Sequence, residues 1–163
     1  METKPFLIRE FRGGDLQACQ VLYREGLLGG KLADNDTGSD IDDIESAYMR
    51  EQGDRFWVAE VGGEVVGMIG VQHHDAGIGE IRRLRVRPDH RRKGIGRTLI
   101  ETAVKFCQDR GYLKVTLDTF VEREAAIKLF EKFRFAHSRT KQVAGKELMY
   151  FYLDLYKSDR PKV

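Results

Sequence analysis

The run Val86-Arg87-Pro88-Asp89-His90-Arg91-Arg92-Lys93-Gly94-Ile95-Gly96-Arg97-Thr98 constrains this chain more than any other segment. It follows a short strand pattern and precedes Leu99, Ile100, Ala103, Val104, Phe106 and Cys107, which recur at helical spacing. A glycine-punctuated turn at that junction aims backbone N–H groups along the opening of a helix. Such a turn suits a phosphate or pyrophosphate. Arg91, Arg92, Lys93 and Arg97 add positive charge around it.

The strand leading in, Glu80 to Arg87, has a slipped pattern. Ile81 is apolar on odd parity, whereas Leu84 and Val86 are apolar on even parity. One extra residue near Arg82-Arg83 restores the alternation, which predicts a β-bulge, a bent strand and free backbone groups beside it. An edge strand with loose patterning is the alternative.

The rest of the chain supplies the frame. Phe6 to Glu10 reads as a strand, and Asp15 caps a helix over Leu16, Cys19, Leu22 and Tyr23 that ends near Gly26. Ser39 or Asp40 opens a second helix through Ile41, Ile44, Ala47 and Tyr48. Gly62-Gly63 joins strands 56–61 and 65–71 as a hairpin, and 73–79 turns into the slipped strand. Beyond the 95–107 helix come a strand at 113–117, a helix at 124–133 and an alternating strand at 148–156. The order is β-α-α-β-β-β-α-β-α-β-β, an α/β (α+β) mixed sheet in a single domain spanning 1–163.

Charge is segregated. Residues 82–97 hold seven Arg and one Lys against Asp89, and residues 34–45 hold six acids and no base. The net charge of +2 is too balanced to argue nucleic-acid binding from the total. Cys19 and Cys107 fall in apolar helical patterns without a C-x-x-C neighbour, so they read as buried thiols and not metal ligands. No apolar run reaches the roughly 20 residues of a bilayer span, and no secretory segment opens the chain. The expectation is a cytoplasmic protein with no membrane contact.

Two phosphate-binding patterns fail on position. A P-loop needs Lys and a hydroxyl residue after its last Gly, where this chain has Arg97. A dinucleotide fingerprint needs a third Gly and a place early in a βαβ unit. Arg91-x-x-Gly94-x-Gly96, opening an amphipathic helix after a strand, instead resembles motif A of the GNAT superfamily of acetyl-CoA-dependent N-acetyltransferases. The segment 126–135, AIKLFEKFRF, is similar to that family's A-I-x-L-Y-E-K-L-G-F segment. The stretch from His90 to Thr119 also resembles camello-type members, which carry a membrane segment.

The resemblance implies a splayed central strand and acetyl-CoA as cosubstrate, with no metal. Backbone amides from Arg91 through Arg92, Lys93, Gly94, Ile95, Gly96 and Arg97 to Thr98 would wrap the pyrophosphate. Leu84, Arg85 and Val86 would pair with pantetheine, the Val86 amide facing the acyl carbonyl. Glu80 falls where several members carry a general base; pairing with a nearby arginine is its structural alternative. The family's proton-donating Tyr falls on Phe130, which can only pack against the cofactor. Either the thiolate would then be protonated by water, or another donor such as Tyr150 or Tyr152 would serve, or turnover would be slow. The usual Asn falls on Arg123, and the Gly of L-G-F on Arg134.

The implied function is transfer of acetyl from acetyl-CoA to a primary amine. The acidic 34–45 segment would favour a cationic acceptor, unless it serves only for helix capping and a solvated loop. An acyl-CoA-binding protein without efficient catalysis is the alternative; a nucleic-acid binder using the basic stripe is the third reading, weakened by its lack of interleaved aromatics. A homodimer is compatible with the last strands. His73-His74-Asp75 reads as a solvated turn, because neighbouring strand residues face opposite ways. Trp57 reads as core.

Overall fold

The computed structural model describes residues 5–75 and 77–155. Seven strands form one mixed sheet in the order β1-β2-β3-β4-β5-β7-β6. They are β1 (Leu7–Glu10), β2 (Arg55–Val61), β3 (Glu64–Asp75), β4 (Ile78–Val86), β5 (Lys114–Phe120), β6 (Ala136–Val143) and β7 (Lys146–Asp154). The helices are α1 (Leu16–Glu25), α2 (Ser39–Asp42), α3 (Ile44–Tyr48), α4 (Ile95–Asp109) and α5 (Glu124–Lys132). The expected element order holds, with one difference. The second helix is broken in two at Asp43, whose backbone leaves the helical region and whose carboxylate accepts from Ser46 N at 3.1 Å. Tyr156, expected to extend the last strand, lies outside the described residues.

Alternation along β2 places the core on both faces. Trp57 and Ala59 belong to the core under α4, while Phe56 and Val58 pack with Ile41, Ile44 and Tyr48. Trp57 meets Phe106 edge-on at 5.2 Å between ring centres, and Cys19 and Cys107 are both fully buried. Asp15 stands at the start of α1 but caps nothing there. Its carboxylate is taken by Arg9 at 2.8 and 2.9 Å and by Arg12 N at 2.8 Å. The β2–β3 hairpin turns at Gly62 (φ +56°) and Gly63 (φ +85°), the positive pair that such two-residue turns require.

The decisive departure from regularity is in β4. Arg82 pairs with Gly70 and Arg85 with Met68, so Arg83 and Leu84 together oppose Ile69. This is the predicted bulge, and Arg83 holds it with φ +59°. The parallel β4–β5 ladder covers only Ile78–Lys114, Gly79–Val115 and Glu80–Thr116. Past Glu80 the two strands separate, while β5 stays paired with β7 to Phe120. Helix α4 then packs Ile95, Leu99, Ile100, Ala103 and Cys107 on the sheet and fixes its own N-terminus beside the end of β4. Truncating one such residue, as in Leu99→Ala, costs about 2–5 kcal/mol. Among the described residues no helix is long and apolar enough to cross a membrane.

Candidate functional site

The gap between β4 and β5 is a cleft of about 410 Å³. Its walls are Glu80 to Arg85 on β4 and Leu117 to Phe120 on β5, with Arg123, Ala126 and Phe130 at its α5 side. Residues of the α1–α2 connection, including Leu27, Leu28 and Asp36, close another side. Gly29, at φ +115°, lies so near the α5 approach that a Cβ there would stand 2.7 Å from Glu122 O. The connection therefore reaches across the cleft from α1 to the segment before α5.

The turn from β4 into α4 has two left-handed residues, Arg92 (φ +63°) and Gly94 (φ +85°). Gly94 precedes the first helical residue, and Thr98 returns both its N–H and its hydroxyl to Gly94 O. The preceding amides of the first turn point out of the helix end, as helix geometry dictates. Arg92, Lys93 and Arg97 are exposed around them. Arg91 is different. Its guanidinium donates to Val86 O and Leu27 O, so it ties the turn to β4 and to the α1–α2 connection. The Ile95 side chain is in the core, which leaves only its backbone for a ligand. Gly96 packs against α5, where a Cβ would stand 3.0 Å from Leu129 Cδ1.

On β4, Leu84 and Arg85 line the cleft, but Val86 does not. Val86 N–H donates to Gly26 O at 3.0 Å, so the amide expected to face the acyl carbonyl is already engaged. Glu80 lines the cleft, with Arg82 Nε 3.9 Å from its carboxylate. Burial raises the Glu80 carboxyl above its ordinary value, and the charge of Asp118 across the gap adds to that; Arg82 and His74 oppose it. Asp118 is raised as well. The cleft walls desolvate its carboxyl although part of the side chain reaches solvent.

Phe130 sits in the wall with 4% of its surface exposed, its ring 5.8 Å from Phe135 and 6.4 Å from Phe151. Tyr150 and Tyr152 are not among the cleft residues. Tyr150 lies under Arg139 at 4.4 Å and Tyr152 beside Lys114 at 5.2 Å, so neither ring borders the cleft as Phe130 does. The acidic segment is partly spent inside the protein. Arg83 binds Asp36 and Asp40, each through two contacts between 2.6 and 3.0 Å. His73 Nδ1 pairs with Asp54 at 2.8 Å, and its Nε2 lies 3.4 Å from Glu51, away from the cleft. His73, His74 and Asp75 are exposed, as expected, but they continue β3 and do not form a turn.

Sequence reasoning passed over Arg123 and Asp118 as site residues. The available signal for Arg123 was an arginine at the opening of α5, where the resembled family has Asn. Asp118 falls one residue past the strand read at 113–117 and gave no signal beyond its acidic side chain.

A model of the Acetyltransferase (GNAT) family matches residues 23–135. The chain belongs to the GNAT acetyltransferase family. N-acetyltransferase 8 of Homo sapiens is 37% identical over 102 residues, which are 60% of this chain and 45% of that protein. Probable N-acetyltransferase camello of Xenopus tropicalis is 37% identical over 110 residues, 66% of this chain and 50% of that protein. The chain spans about half the length of the curated relatives it matches. A putative streptothricin acetyltransferase from Bacillus anthracis, solved with acetyl coenzyme A, shares the fold with a TM-score of 0.73 at 18% identity. That likeness covers 93% of this chain and all of the other (100%).

Proposed function

We propose that this GNAT protein transfers the acetyl group of acetyl-CoA directly to an amine. The observation that carries this reading is the β4–β5 opening past Glu80 and Thr116, set beside the N-terminus of α4. An extended thioester arm can lie in such an opening as an added strand. The outward amides of α4, with Arg92, Lys93 and Arg97, suit the pyrophosphate at its end. Arg91 supports the turn that presents them.

Glu80 is the general base, acting on the amine directly or through one water. Its raised pKa brings it nearer to the working pH than an ordinary glutamate. As the amine nitrogen bonds to the thioester carbon, charge develops on the carbonyl oxygen and needs an N–H donor. Leu84 is the better donor than Val86. Arg87 N–H points to Val66 O on β3, while Val86 N–H points the other way to Gly26 O. By the two-residue repeat of a strand, Leu84 N–H points away from β3 as that of Val86 does, and Leu84 lines the cleft. Collapse of the tetrahedral species breaks the C–S bond, and the thiolate takes its proton from solvent at the cleft mouth.

Calorimetric titration with acetyl-CoA, paired with release of free thiol in the presence of an amine panel, tests the assignment. Binding and amine-dependent thiol release are expected. Binding without release over the whole panel would leave only an acyl-CoA holder. Gly96→Asp mixes two effects because position 96 faces Leu129. Charge reversal at the exposed Arg92 and Lys93 isolates the phosphate contribution, and an affinity loss that shrinks with added salt is expected.

A further inference from the structure

Four arginines line the cleft, and two of them carry a buried N–H that no acceptor takes. Arg82, Arg83, Arg85 and Arg123 line it, against Asp36, Glu80 and Asp118. Arg83 is satisfied by Asp36 and Asp40, and Arg82 by Gln72 Oε1 at 2.9 Å and by nearby Glu80. Arg85 and Arg123 remain. Arg85 has only 3% of its surface exposed; its Nε donates to Tyr23 O and its Nη1 to Leu84 O, both at 3.1 Å. Its Nη2 is buried without a hydrogen-bond partner, and so is Arg123 Nε. These are the two such side-chain atoms found among the described residues.

A buried guanidinium with an idle N–H is costly, and two that repel each other more so. Burial pushes Arg85 down to about 9, and the charge of Arg123 is the next largest contribution in that direction. Both guanidiniums line the same cleft, and a carboxylate bound there would supply acceptor oxygens and a charge that offsets their repulsion. The phosphates have their own place at the α4 turn. Arg85 instead packs against α1, its guanidinium 5.6 Å from the Tyr23 ring.

We propose that Arg85 and Arg123 bind a carboxylate carried by the acceptor, so that the amine substrate is an α-amino acid or a similarly anionic amine. The proposal rests on the acetyltransferase reading and names its acceptor class. It also reverses the sign expected from the acidic 34–45 segment, because Arg83 consumes the charge that Asp36 and Asp40 would have offered a cation.

The test uses matched acceptors that differ by the carboxylate, such as phenylalanine with phenethylamine, tryptophan with tryptamine and lysine with cadaverine. At least one amino acid should exceed its decarboxylated partner in kcat/KM by about 30-fold or more, the lower end for a buried charge pair. In Arg123→Gln that ratio should collapse toward one, mainly through KM. Arg123 is only half-buried, so this variant is the safer one to fold; Arg85→Gln is the second. A separate binding arm titrates N-acetylphenylalanine, N-acetyltryptophan and Nα-acetyllysine, and their amides, in the presence of CoA. The acids should bind and the amides should not. Equal use of acids and decarboxylated amines overturns the proposal, as does a preference that survives Arg123→Gln. Loss of acetyl-CoA affinity in Arg123→Gln, with the acceptor ratio intact, would assign the arginines to the donor's phosphates. If no amine is acetylated but the N-acetyl acids still bind through Arg123, the acetyltransferase reading fails and the carboxylate site stands. If no N-acetyl acid binds, the site is refuted.

Discussion

Arg83 Nη1 stands 2.6 Å from Asp36 Oδ2, and this contact joins the bulge of β4 to the connection between α1 and α2. Arg83 Nη2 lies equally close, 2.6 Å, to Asp40 Oδ1, so one guanidinium holds two carboxylates from a segment more than 40 positions away. Burial works against ionisation of Asp36, but the hydrogen bonds and charge of Arg83 outweigh it and hold the carboxyl at about 2. Asp40 is lowered by the same partner against the same burial.

Removing the guanidinium strands both carboxylates. Arg83→Met is expected to cost about 2–4 kcal/mol at pH 7, below the full range for a buried pair because solvent reaches the edge of this one. The sign with pH follows from the depressed values. The parent's stabilisation is fully present above the ordinary carboxylate pKa and is lost as pH falls through about 2. The gap between parent and variant in urea unfolding should therefore be widest near neutrality and narrow between about pH 4 and pH 2. A gap independent of pH would mean that the ion pairs are not its source.

Glu80 makes the opposite prediction. Its carboxyl is raised, first by burial and then by Asp118, so the basic form appears only above the usual glutamate range. The acid limb of kcat/KM should lie above 4.5, with activity lost as pH falls through it. Glu80→Gln should lower kcat by about 10²–10⁴ and abolish that limb. A profile with the same acid limb in the variant would transfer the base role to Asp118, the other raised carboxyl in the cleft.

The sequence made the scaffold of this site legible and left its interior dark, for separable reasons. The parity slip between Ile81 and Leu84 announced the bulge because strand periodicity is two and any insertion shows. Gly94 was legible because its left-handed backbone leaves glycine as the unstrained choice. Side-chain partnerships across the chain carry no such local signature. Nothing near Arg83 in sequence shows that Asp36 and Asp40 will meet it, and nothing near Val86 shows that Gly26 O will occupy its amide. Arg91 looked like a phosphate ligand from its motif, yet its reach to Leu27 O is a long-range packing outcome. Arg85 looked like a backbone contributor only, until burial showed a charged side chain without an anion.

Arg134 offers a stability prediction independent of function. It follows the last turn of α5 with φ +66°, the left-handed position that usually ends a helix on glycine. It also occupies the place of Gly in the resembled L-G-F segment. Since an arginine is strained there, Arg134→Gly should raise stability by about 0.5–1 kcal/mol, partly offset by the greater freedom of glycine when unfolded. Thermal and urea unfolding should both show the gain, with acetyl-CoA affinity unchanged.

Phe130 gives the last test, because it stands in the cleft wall where the resembled family places a hydroxyl. Its ring is packed by Phe135 and Phe151 on one side and borders the cleft on the other. A tyrosine in the same rotamer adds one oxygen and no other atom, so the packing contacts survive. If the added hydroxyl reaches the cleft, it finds water when the cleft is empty and the departing sulfur during transfer. Phe130→Tyr should then raise kcat about tenfold, a modest share of what a positioned proton donor can supply, with stability changed by less than about 1 kcal/mol. The gain should be greatest at high pH, where solvent protonates a thiolate least readily. A variant that loses about 1–3 kcal/mol of stability with kcat unchanged would place the hydroxyl against the core instead.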